Sequence, residues 1–414
     1  MSDVISGHTL CLLCSSKDYF SALSQAMDAA QQEVRLETYI FDFTASGQDV
    51  ANSLIRAAER GVKVYVLMDG AGTLEVPAQW QSRFDAAGVQ WHIYNPMDRF
   101  GLLRPSRWRR LHRKLCVVDG GTSQALGFCG GINILDDFHD PNHGALSEPR
   151  LDFAVQANGP LLSEMHDAMQ KLWLRQTAYA QIRRRQLQAA ALSWITSRSL
   201  SPRRPLAASS SNDIAATAYN ANAALLLRDN LRNRKRIEAA YLKAIGEAQQ
   251  EIIIANAYFL PGRRLRQALL RAAKRGVKVK LLLQGRYEYF MQYHAARPVY
   301  DALLSAGVEI HEYAASFLHA KVAVIDAFSA QSWATVGSSN LDPLSLLLAR
   351  EANVVVRDGG FARELHERLM HAITTGGKSV SQQKLASRPM LQRALDRIAF
   401  GLMRLALAIT GRRY

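Results

Sequence analysis

The chain is short of cysteine and of long apolar runs. Its 414 residues contain only 4 cysteines, Cys11, Cys14, Cys116 and Cys129, which is too few for a disulfide framework. Cys11 and Cys14 form a C-x-x-C pair, but no second pair of ligands lies nearby, which argues against a zinc site. No window supplies the ~20 apolar residues that a membrane-spanning helix requires. Since no secretory signal peptide is evident either, we expect a protein of the reducing, cytosolic side.

Acidic residues are also scarce relative to basic ones. The 36 Asp and Glu residues are outnumbered by 51 Lys and Arg, so the formal net charge is +15. One basic cluster has Trp108 and Leu111 among its members: Arg104, Arg107, Arg109, Arg110, Arg113 and Lys114. A second cluster lies in residues 176–215, which we predict to be a basic linker: Arg183, Arg184, Arg185, Arg198, Arg203 and Arg204. Basic residues with aromatic neighbours suit either nucleic acid or an anionic lipid surface.

The most informative feature that is present is a short pattern that occurs twice. His112, Lys114 and Asp119 fit H-x-K-x-x-x-x-D, and so do His319, Lys321 and Asp326. Each copy is followed by a glycine-rich turn that ends in asparagine, Asn133 in residues 130–133 and Asn340 in residues 337–340. Two copies with the same downstream turn indicate a duplicated functional site rather than chance.

The repeat extends beyond the motif and divides the chain into related halves. Residues 57–64 match residues 272–279, and residues 87–94 match residues 306–313. Apolar runs such as residues 34–41 and 62–68 alternate with segments of helical spacing such as residues 50–60. This alternation predicts an α/β protein of two tandem α/β/α domains with mainly parallel sheets, spanning residues 1–175 and 216–375.

The residue types in the motif suit the cleavage of a phosphodiester. Side chains two residues apart in a strand share a face, so His112 and Lys114 reach one phosphate, as do His319 and Lys321. One neutral imidazole attacks phosphorus, and the other protonates the departing alcohol and then deprotonates the incoming one. The lysines, with Asn133 and Asn340, stabilise charge on the non-bridging oxygens, so no metal or other cofactor is expected.

These motifs resemble the paired HKD motifs of the phospholipase D superfamily, and the match covers nearly the whole chain. Within it, residues 36–41, 255–261 and 337–353 are most similar to bacterial cardiolipin synthases. The resemblance implies one active site shared between the two halves and a covalent phosphohistidine. It also implies that the N-terminal motif carries the nucleophile, which favours His112 over His319.

The resemblance further implies a carboxylate that orients each histidine. Aligning the segments that follow the motifs places Asp152 opposite Glu351. The motif aspartates Asp119 and Asp326 belong to the catalytic signature, although a structural role is favoured for both. The first turn departs from the family's G-S-x-N pattern, because Gly131 stands where serine is usual and a hydroxyl is missing.

The C-terminal residues 389–414 predict an amphipathic helix. An apolar stripe recurs at steps of four and three: Leu391, Leu395, Ile398, Leu402, Leu405 and Ile409. Arg393, Arg397 and Arg404 fall on the opposite side, with Phe400 and Leu407 among them. A helix that lies in the membrane interface is favoured over one that packs on the protein's own core.

Together these features predict transfer of a phosphatidyl group between two phosphatidylglycerol molecules, giving cardiolipin and glycerol. The resemblance implies a peripheral protein on the cytoplasmic face of the bacterial inner membrane, whose partner is anionic phospholipid and not nucleic acid. The alternatives are a phospholipase D that releases phosphatidic acid, a nuclease of the same superfamily, and a basic binding protein with silent motifs.

Overall fold

The fold is taken from a computed structural model of the chain. It describes residues 4–97, 109–140, 143–200, 218–229, 233–287, 290–342 and 349–409. The elements of the N-terminal half are β1 (Ile5–Leu13), α1 (Ser16–Ala29), β2 (Glu33–Thr38), α2 (Ala45–Glu59), β3 (Lys63–Asp69), α3 (Ala78–Ala87), β4 (Gln90–Tyr94), β5 (Arg110–Leu111), β6 (Lys114–Val118), β7 (Leu126–Gly130), β8 (His139–Asp140), β9 (Gly144–Ala145), β10 (Ala154–Asn158), α4 (Leu161–Arg183) and α5 (Leu187–Ser199).

The C-terminal half repeats most of this succession, and its described residues form no counterparts of β5, β8 and β9. Its elements are β11 (Tyr219–Arg228), α6 (Arg236–Glu247), β12 (Glu251–Asn256), α7 (Arg263–Lys274), β13 (Lys278–Gln284), α8 (Phe290–Ser305), β14 (Glu309–Tyr313), β15 (Lys321–Ile325), β16 (Trp333–Gly337), β17 (Ala349–Arg357), α9 (Gly359–Gly376), β18 (Gly377–Val380), α10 (Gln382–Ala386) and α11 (Met390–Ile409).

Equivalent helices end in the same way in the two halves. Helix α2 stops before Gly61, with φ of +88°, and α7 stops before Gly276, with φ of +89°. A left-handed residue just after a helix is inexpensive only for glycine, so these two glycines set where the following strands begin.

Most strands of the described residues join one mixed sheet that runs through both halves. Its order is β18-β14-β13-β12-β15-β16-β17-β11-β1-β10-β7-β6-β2-β3-β4, with β5 paired beside β17. The edges repeat each other, because β2-β3-β4 and β12-β13-β14 are both parallel triplets. The expected α/β class and the tandem halves are therefore confirmed.

The expectation of mainly parallel sheets was wrong. Strand β6 pairs antiparallel with both β2 and β7, and β15 pairs antiparallel with both β12 and β16. For the pairs β6–β7 and β15–β16, the reason lies in the short turns after each motif. Val118 and Leu126 are opposite each other across the first turn, and Ile325 and Trp333 across the second, and a connection this short joins antiparallel neighbours only.

Three large clusters of apolar side chains fill the space around the sheet. The cluster between the halves takes Leu115 and Val117 from β6 and Val322 and Val324 from β15, under α4 and α9. The other two lie on the outer faces, one under α1, α2 and α3 and the other under α6, α7 and α8. Since the two motif strands share the central cluster, they are held in a fixed relation to each other.

The proposed domain limits stay predictions. Residue 175 falls inside α4, which continues to Arg183, and the first part of the expected linker is helix α5. The later part of that linker, with Arg203 and Arg204, lies outside the described residues. The expected C-terminal helix corresponds to α11.

Candidate active site

The two motif lysines lie at the start of matching strands. Lys114 begins β6 opposite Gly130, and Lys321 begins β15 opposite Asn256 of β12. Both side chains are buried, and each ammonium donates a hydrogen bond to the carbonyl of its own motif histidine, at 2.8 Å for Lys114. These contacts are with the main chain of each histidine, so a shared face for the histidine and lysine side chains stays a prediction.

The first histidine is held by a carboxylate from the other half of the chain. His112 Nδ1 lies 3.1 and 3.2 Å from the two carboxylate oxygens of Glu351. Strand β5 pairs parallel with the beginning of β17, and His112 N donates to the carbonyl of Arg350 at 3.0 Å. Backbone pairing thus places the histidine beside the residue that follows Arg350.

The second histidine repeats this arrangement with the halves exchanged. His319 Nδ1 lies 2.6 Å from Asp152 Oδ2. A bridge pairs Leu151 with Leu318, and His319 N donates to the carbonyl of Leu151 at 2.9 Å. The sequence suggested one carboxylate per histidine but could not say which, and the structure pairs each histidine with the other half's carboxylate.

The consequence is a site that neither half can form alone. A bond through Nδ1 fixes the tautomer of each imidazole and leaves Nε2 for chemistry at a phosphate. Burial lowers the pKa of His319, and the charges of Lys321 and, from the first half, Lys114 and His112 act in the same direction. Whether they carry out the reaction stays a prediction.

Burial dominates the electrostatics of the histidines and lysines. It lowers the pKa of His112 against the opposing attraction of Glu351, and it lowers the pKa of His319 well below the usual value, with Lys321 adding to the effect. Burial and the nearby charge of Lys321 also lower the pKa of Lys114 to about 7. Both imidazoles are therefore neutral at neutral pH in the empty site, as a nucleophilic histidine requires.

The two carboxylates differ in their ionisation. Burial raises the pKa of Asp152 to about 7, although Lys321 and the backbone N–H of Phe153 oppose it. Burial acts on Glu351 as well, but His112, Lys114 and the hydroxyl of Ser338 together outweigh it and lower its pKa. Glu351 is thus a stable anion at neutral pH, whereas Asp152 exchanges its proton there.

The missing hydroxyl of the first turn has a steric explanation. A Cβ atom at Gly131 would collide with the carboxylate of Asp152. In the second turn Ser338 Oγ instead donates to Glu351. Glycine at position 131 therefore makes room for the aspartate, and serine at position 338 adds a hydrogen bond to the glutamate.

The two turn asparagines differ in their hydrogen bonding. Asn133 Oδ1 accepts a hydrogen bond from the backbone N–H of Ile40 at 3.1 Å. Asn340 is buried, and its Oδ1 has no hydrogen-bond partner among the described residues. A buried amide oxygen without a hydrogen-bond partner is expected to find one in a ligand. Phosphate binding by the two asparagines stays a prediction, and the unpaired Asn340 supports it more strongly than Asn133 does.

The motif aspartates lie away from the histidines, which agrees with the structural role favoured for them, although both were included in the catalytic signature. Asp119 accepts from the backbone N–H groups of residues 31–33 at 2.7–2.9 Å, and Asp326 accepts from those of residues 249–251 at 2.8–2.9 Å. At a strand rise of about 3.3 Å per residue, Asp119 is roughly 17 Å along β6 from Lys114. Each aspartate fixes the entry into the neighbouring strand, which is a structural role.

Sequence reasoning missed Tyr39 and Asp69. The ring of Tyr39 lies 5.0 Å from that of His112, and the Lys114 ammonium is 5.4 Å from the tyrosine ring centre. Buried Asp69 accepts from Leu111 N at 2.6 Å and from Arg110 at 3.1 Å, which fixes β5. Tyr39 had a signal, since the repeat matches it with Tyr258, but nothing in the sequence singled out Asp69.

The first basic cluster only partly faces solvent. Arg113 is buried and ion-paired with Glu37, and Arg110 pairs with Asp69. These two arginines stabilise the fold and do not lie open to substrate, which corrects the sequence interpretation. Arg109 is exposed, and Arg104, Arg107 and Trp108 lie outside the described residues.

Three further expectations concern metals, disulfides and membranes. Among the described residues, no three His, Cys, Asp or Glu side chains converge as metal ligands. All four cysteines are unpaired thiols. No helix in the described part of the chain is both long enough and apolar enough to cross a bilayer. A metal-free reaction stays a prediction.

The C-terminal helix packs on the protein through one face and exposes another. Asp396, which is buried, accepts from His294 on α8 and from Arg388, each at 2.6 Å. The apolar stripe points elsewhere, because Leu391 is 72% exposed and Ile398 and Leu402 are more than half exposed. The side chains of Leu405 and Ile409 lie outside the described part of the helix. One face of the helix therefore packs on the protein's own core, and a position in the membrane interface stays a prediction for the exposed stripe.

A mixed α/β sheet with duplicated histidine–lysine motifs defines the phospholipase D-like class of proteins. A family model described as "Cardiolipin synthase, PLD-like domain" matches residues 23–148 and 241–373, more than half of the chain. The chain belongs to the cardiolipin synthase family, and the resemblance stated from the motifs is confirmed.

Individual relatives agree with this assignment. Cardiolipin synthase B from Shigella flexneri and from Escherichia coli K12 are each 35% identical over 98% of this chain and 90% of their own length. Cardiolipin synthase A from Pseudomonas putida is 29% identical over 94% of this chain and 73% of its own. The crystal structure of phosphatidylserine synthase from Haemophilus influenzae shares the fold, with a TM-score of 0.68, 12% identity and coverage of 96% and 94% of the two chains.

Proposed function

We propose that the protein is a cardiolipin synthase that transfers a phosphatidyl group from one phosphatidylglycerol molecule to another and releases glycerol. The observation that carries the proposal is the pair of histidine–carboxylate contacts, His112 with Glu351 and His319 with Asp152, made between the halves. Such contacts orient both imidazoles toward one phosphodiester. Membership in the cardiolipin synthase family supports the choice of a lipid substrate.

In the first step, His112 Nε2 attacks the phosphorus of the donor lipid. The bond from phosphorus to the glycerol headgroup oxygen breaks, and His319 delivers a proton to that oxygen so that glycerol leaves. The imidazole of His319 must be protonated to deliver this proton. The negative charge of bound phosphate raises the pKa of His319 and so favours its protonated form. Lys114 and Lys321 offset the charge on the non-bridging oxygens.

In the second step, the acceptor is the free headgroup hydroxyl of another phosphatidylglycerol molecule. His319 removes its proton, the oxygen attacks the phosphohistidine, and the bond from phosphorus to His112 breaks. Cardiolipin is released and both histidines return to their starting state. Water in place of the acceptor would give phosphatidic acid, so the exclusion of water decides between transfer and hydrolysis.

The different carboxylates support the assignment of roles. Glu351 stays ionised and therefore increases the basicity of His112, which suits a nucleophile. Asp152 has a pKa raised by burial to about 7, which suits the partner of a histidine that exchanges protons near neutral pH. Acid quenching during turnover of labelled lipid should leave the label on His112, and label on His319 would reverse the roles.

The exposed stripe of α11 supports a peripheral position on the membrane. Leu391, Ile398 and Leu402 point away from the face that Asp396 anchors, so they can enter a bilayer without disturbing the core. Replacing all three with Gln should weaken sedimentation with phosphatidylglycerol vesicles about tenfold or more. It should leave turnover of a short-chain, soluble phosphatidylglycerol nearly unchanged, and equal loss of both would contradict the proposal. The cytoplasmic face of the bacterial inner membrane is proposed from the family.

The decisive experiment incubates the purified protein with labelled phosphatidylglycerol vesicles and separates the products. Cardiolipin and glycerol in equal amounts are expected. Phosphatidic acid as the main product would instead identify a hydrolytic phospholipase D. Cleavage of an oligonucleotide with no lipid turnover would identify a nuclease, and a folded protein without any turnover would identify a binding protein.

A further inference from the structure

A cavity lies beside α4 and α5, and neither motif histidine lines it. It encloses about 690 Å³ between these helices and the end of β4. Five arginines contribute to its wall: Arg109, Arg175, Arg183, Arg198 and Arg350. We refer to it as the arginine groove. Its size is that of an ordinary small-molecule site.

The arginine groove carries positive charge without a matching carboxylate. No Asp or Glu is present among the described residues that line it. Buried arginines elsewhere in the protein do have acidic partners, as Arg113 has Glu37 and Arg297 has Glu312. Within the groove, Arg350 Nε donates to the hydroxyl of Tyr94 at 3.3 Å, a neutral partner. Concentrated positive charge of this kind attracts an anion.

The surroundings of the groove are apolar as well as basic. Tyr179, Ile182 and Trp194 line it next to Arg183 and Arg198. The outer surface of α5 adds apolar side chains that are more than 60% exposed, namely Leu187, Leu192 and Ile195. Exposed aliphatic residues beside arginines suit a ligand that joins an anionic group to hydrocarbon.

The groove lies on the other side of the sheet from the reaction site. Arg350 and Glu351 are neighbours on β17, and successive side chains of a strand point to opposite faces. Glu351 contacts His112, so Arg350 faces away from it, although its carbonyl accepts from His112 N at 3.0 Å. A ligand in the groove would therefore not compete with the reacting phosphate.

We propose that the arginine groove binds the phosphate headgroup of an anionic phospholipid, with an acyl chain against Tyr179, Ile182 and Trp194. This second lipid site holds the enzyme on the membrane through α4 and α5 at a place separate from the reacting lipid. The choice of phospholipid as ligand rests on the proposed function, but occupancy of the groove can be measured without turnover.

The test counts lipid sites by titration calorimetry with dihexanoyl phosphatidylglycerol below its micelle concentration. A His112→Ala background prevents turnover. We expect one lipid site fewer after Arg183→Gln and Arg198→Gln than in this background, and both are exposed positions at which the fold should tolerate glutamine. The matched control, Arg271→Gln with Lys274→Gln on α7, removes the same charge from another exposed surface and should keep the full number of sites.

The same pair of changes is then examined on membranes in the otherwise native protein. Binding to phosphatidylglycerol vesicles should weaken about 25-fold, at about fivefold for each basic residue near an anionic surface. Arg175 also lines the groove, and Arg175→Gln should weaken vesicle binding about fivefold. An unchanged number of lipid sites in the groove variant, or equal weakening in the control, would overturn the proposal, as would tight binding of inorganic phosphate or an oligonucleotide there instead of the lipid.

The two proposals can fail separately. Loss of one lipid site in a protein that makes no cardiolipin would support the groove as a lipid site and contradict the proposed synthase activity. Cardiolipin synthesis by a protein whose groove variant keeps every lipid site would support the synthase and contradict the groove.

Discussion

Replacing Glu351 with Gln removes one negative charge from the active site while keeping the shape of the side chain. In the native protein His112 Nδ1 donates to this carboxylate, with 3.1 and 3.2 Å to its two oxygens. Ser338 can still donate to the amide oxygen, so the fold should survive. Glu351 touches the histidine and not the lipid, so we regard it as a positioning residue.

The magnitude follows from the bond that is weakened. A hydrogen bond to a charged group contributes about 1.5–3 kcal/mol, and about 1.4 kcal/mol corresponds to tenfold in rate. A loss of about 10- to 150-fold in kcat/KM is therefore expected. An amide can also donate to Nδ1, which would leave the proton on Nε2 and block attack, so the upper end of this range is favoured.

The pH profile separates this role from a merely structural one. Burial lowers the pKa of Lys114 to about 7, and the charge of Glu351 opposes this effect. Without that charge the pKa of Lys114 falls further, so the alkaline limb of the pH profile should lie at lower pH in the glutamine variant than in the native protein. The assay is cardiolipin formation from labelled phosphatidylglycerol, with Glu367→Gln on the exposed side of α9 as the control. A folded Glu351→Gln protein with at least about half of the native kcat/KM would refute the reasoning.

Three further outcomes are expected. His112→Ala and His319→Ala should each abolish transfer, because the nucleophile and its proton partner act as one unit, and near-native synthesis by either folded variant would exclude the two-histidine mechanism. Activity should persist in excess EDTA, and loss that one specific divalent ion restores would exclude a metal-free reaction. The kcat/KM profile should fall on both sides of about pH 7, because Asp152 is protonated below it and Lys114 is deprotonated above it, and a flat profile from about pH 6 to about pH 8 would contradict this.

Features that repeat in the sequence could be predicted well. The duplicated motif placed Lys114 and Lys321 on matching strands, and the matched residues 57–64 and 272–279 proved to contain the glycines that follow matching helices. Such features depend on local spacing, which a sequence displays directly. The α/β class and the family followed from them.

Features set by pairing between distant strands could not be predicted. The antiparallel pairs β6–β7 and β15–β16 depend on the short turns after Asp119 and Asp326, which local apolar patterns do not reveal. The exchange of carboxylates depends on the pairing of β5 with β17 and of Leu151 with Leu318. These contacts join residues far apart in the chain, and a single sequence contains no record of such partners.

The turn glycine at position 131 shows how a small sequence difference makes the two halves unequal. From the sequence it was only a lost hydroxyl. In the structure the missing side chain leaves space for Asp152, while the serine at position 338 donates to Glu351 and helps to lower its pKa. One turn therefore stabilises a permanent anion beside His112, and the other leaves a carboxyl whose pKa, raised by burial, is about 7 beside His319. A symmetric pair of histidines would compete for the same task, whereas unequal partners allow one to attack and the other to exchange protons.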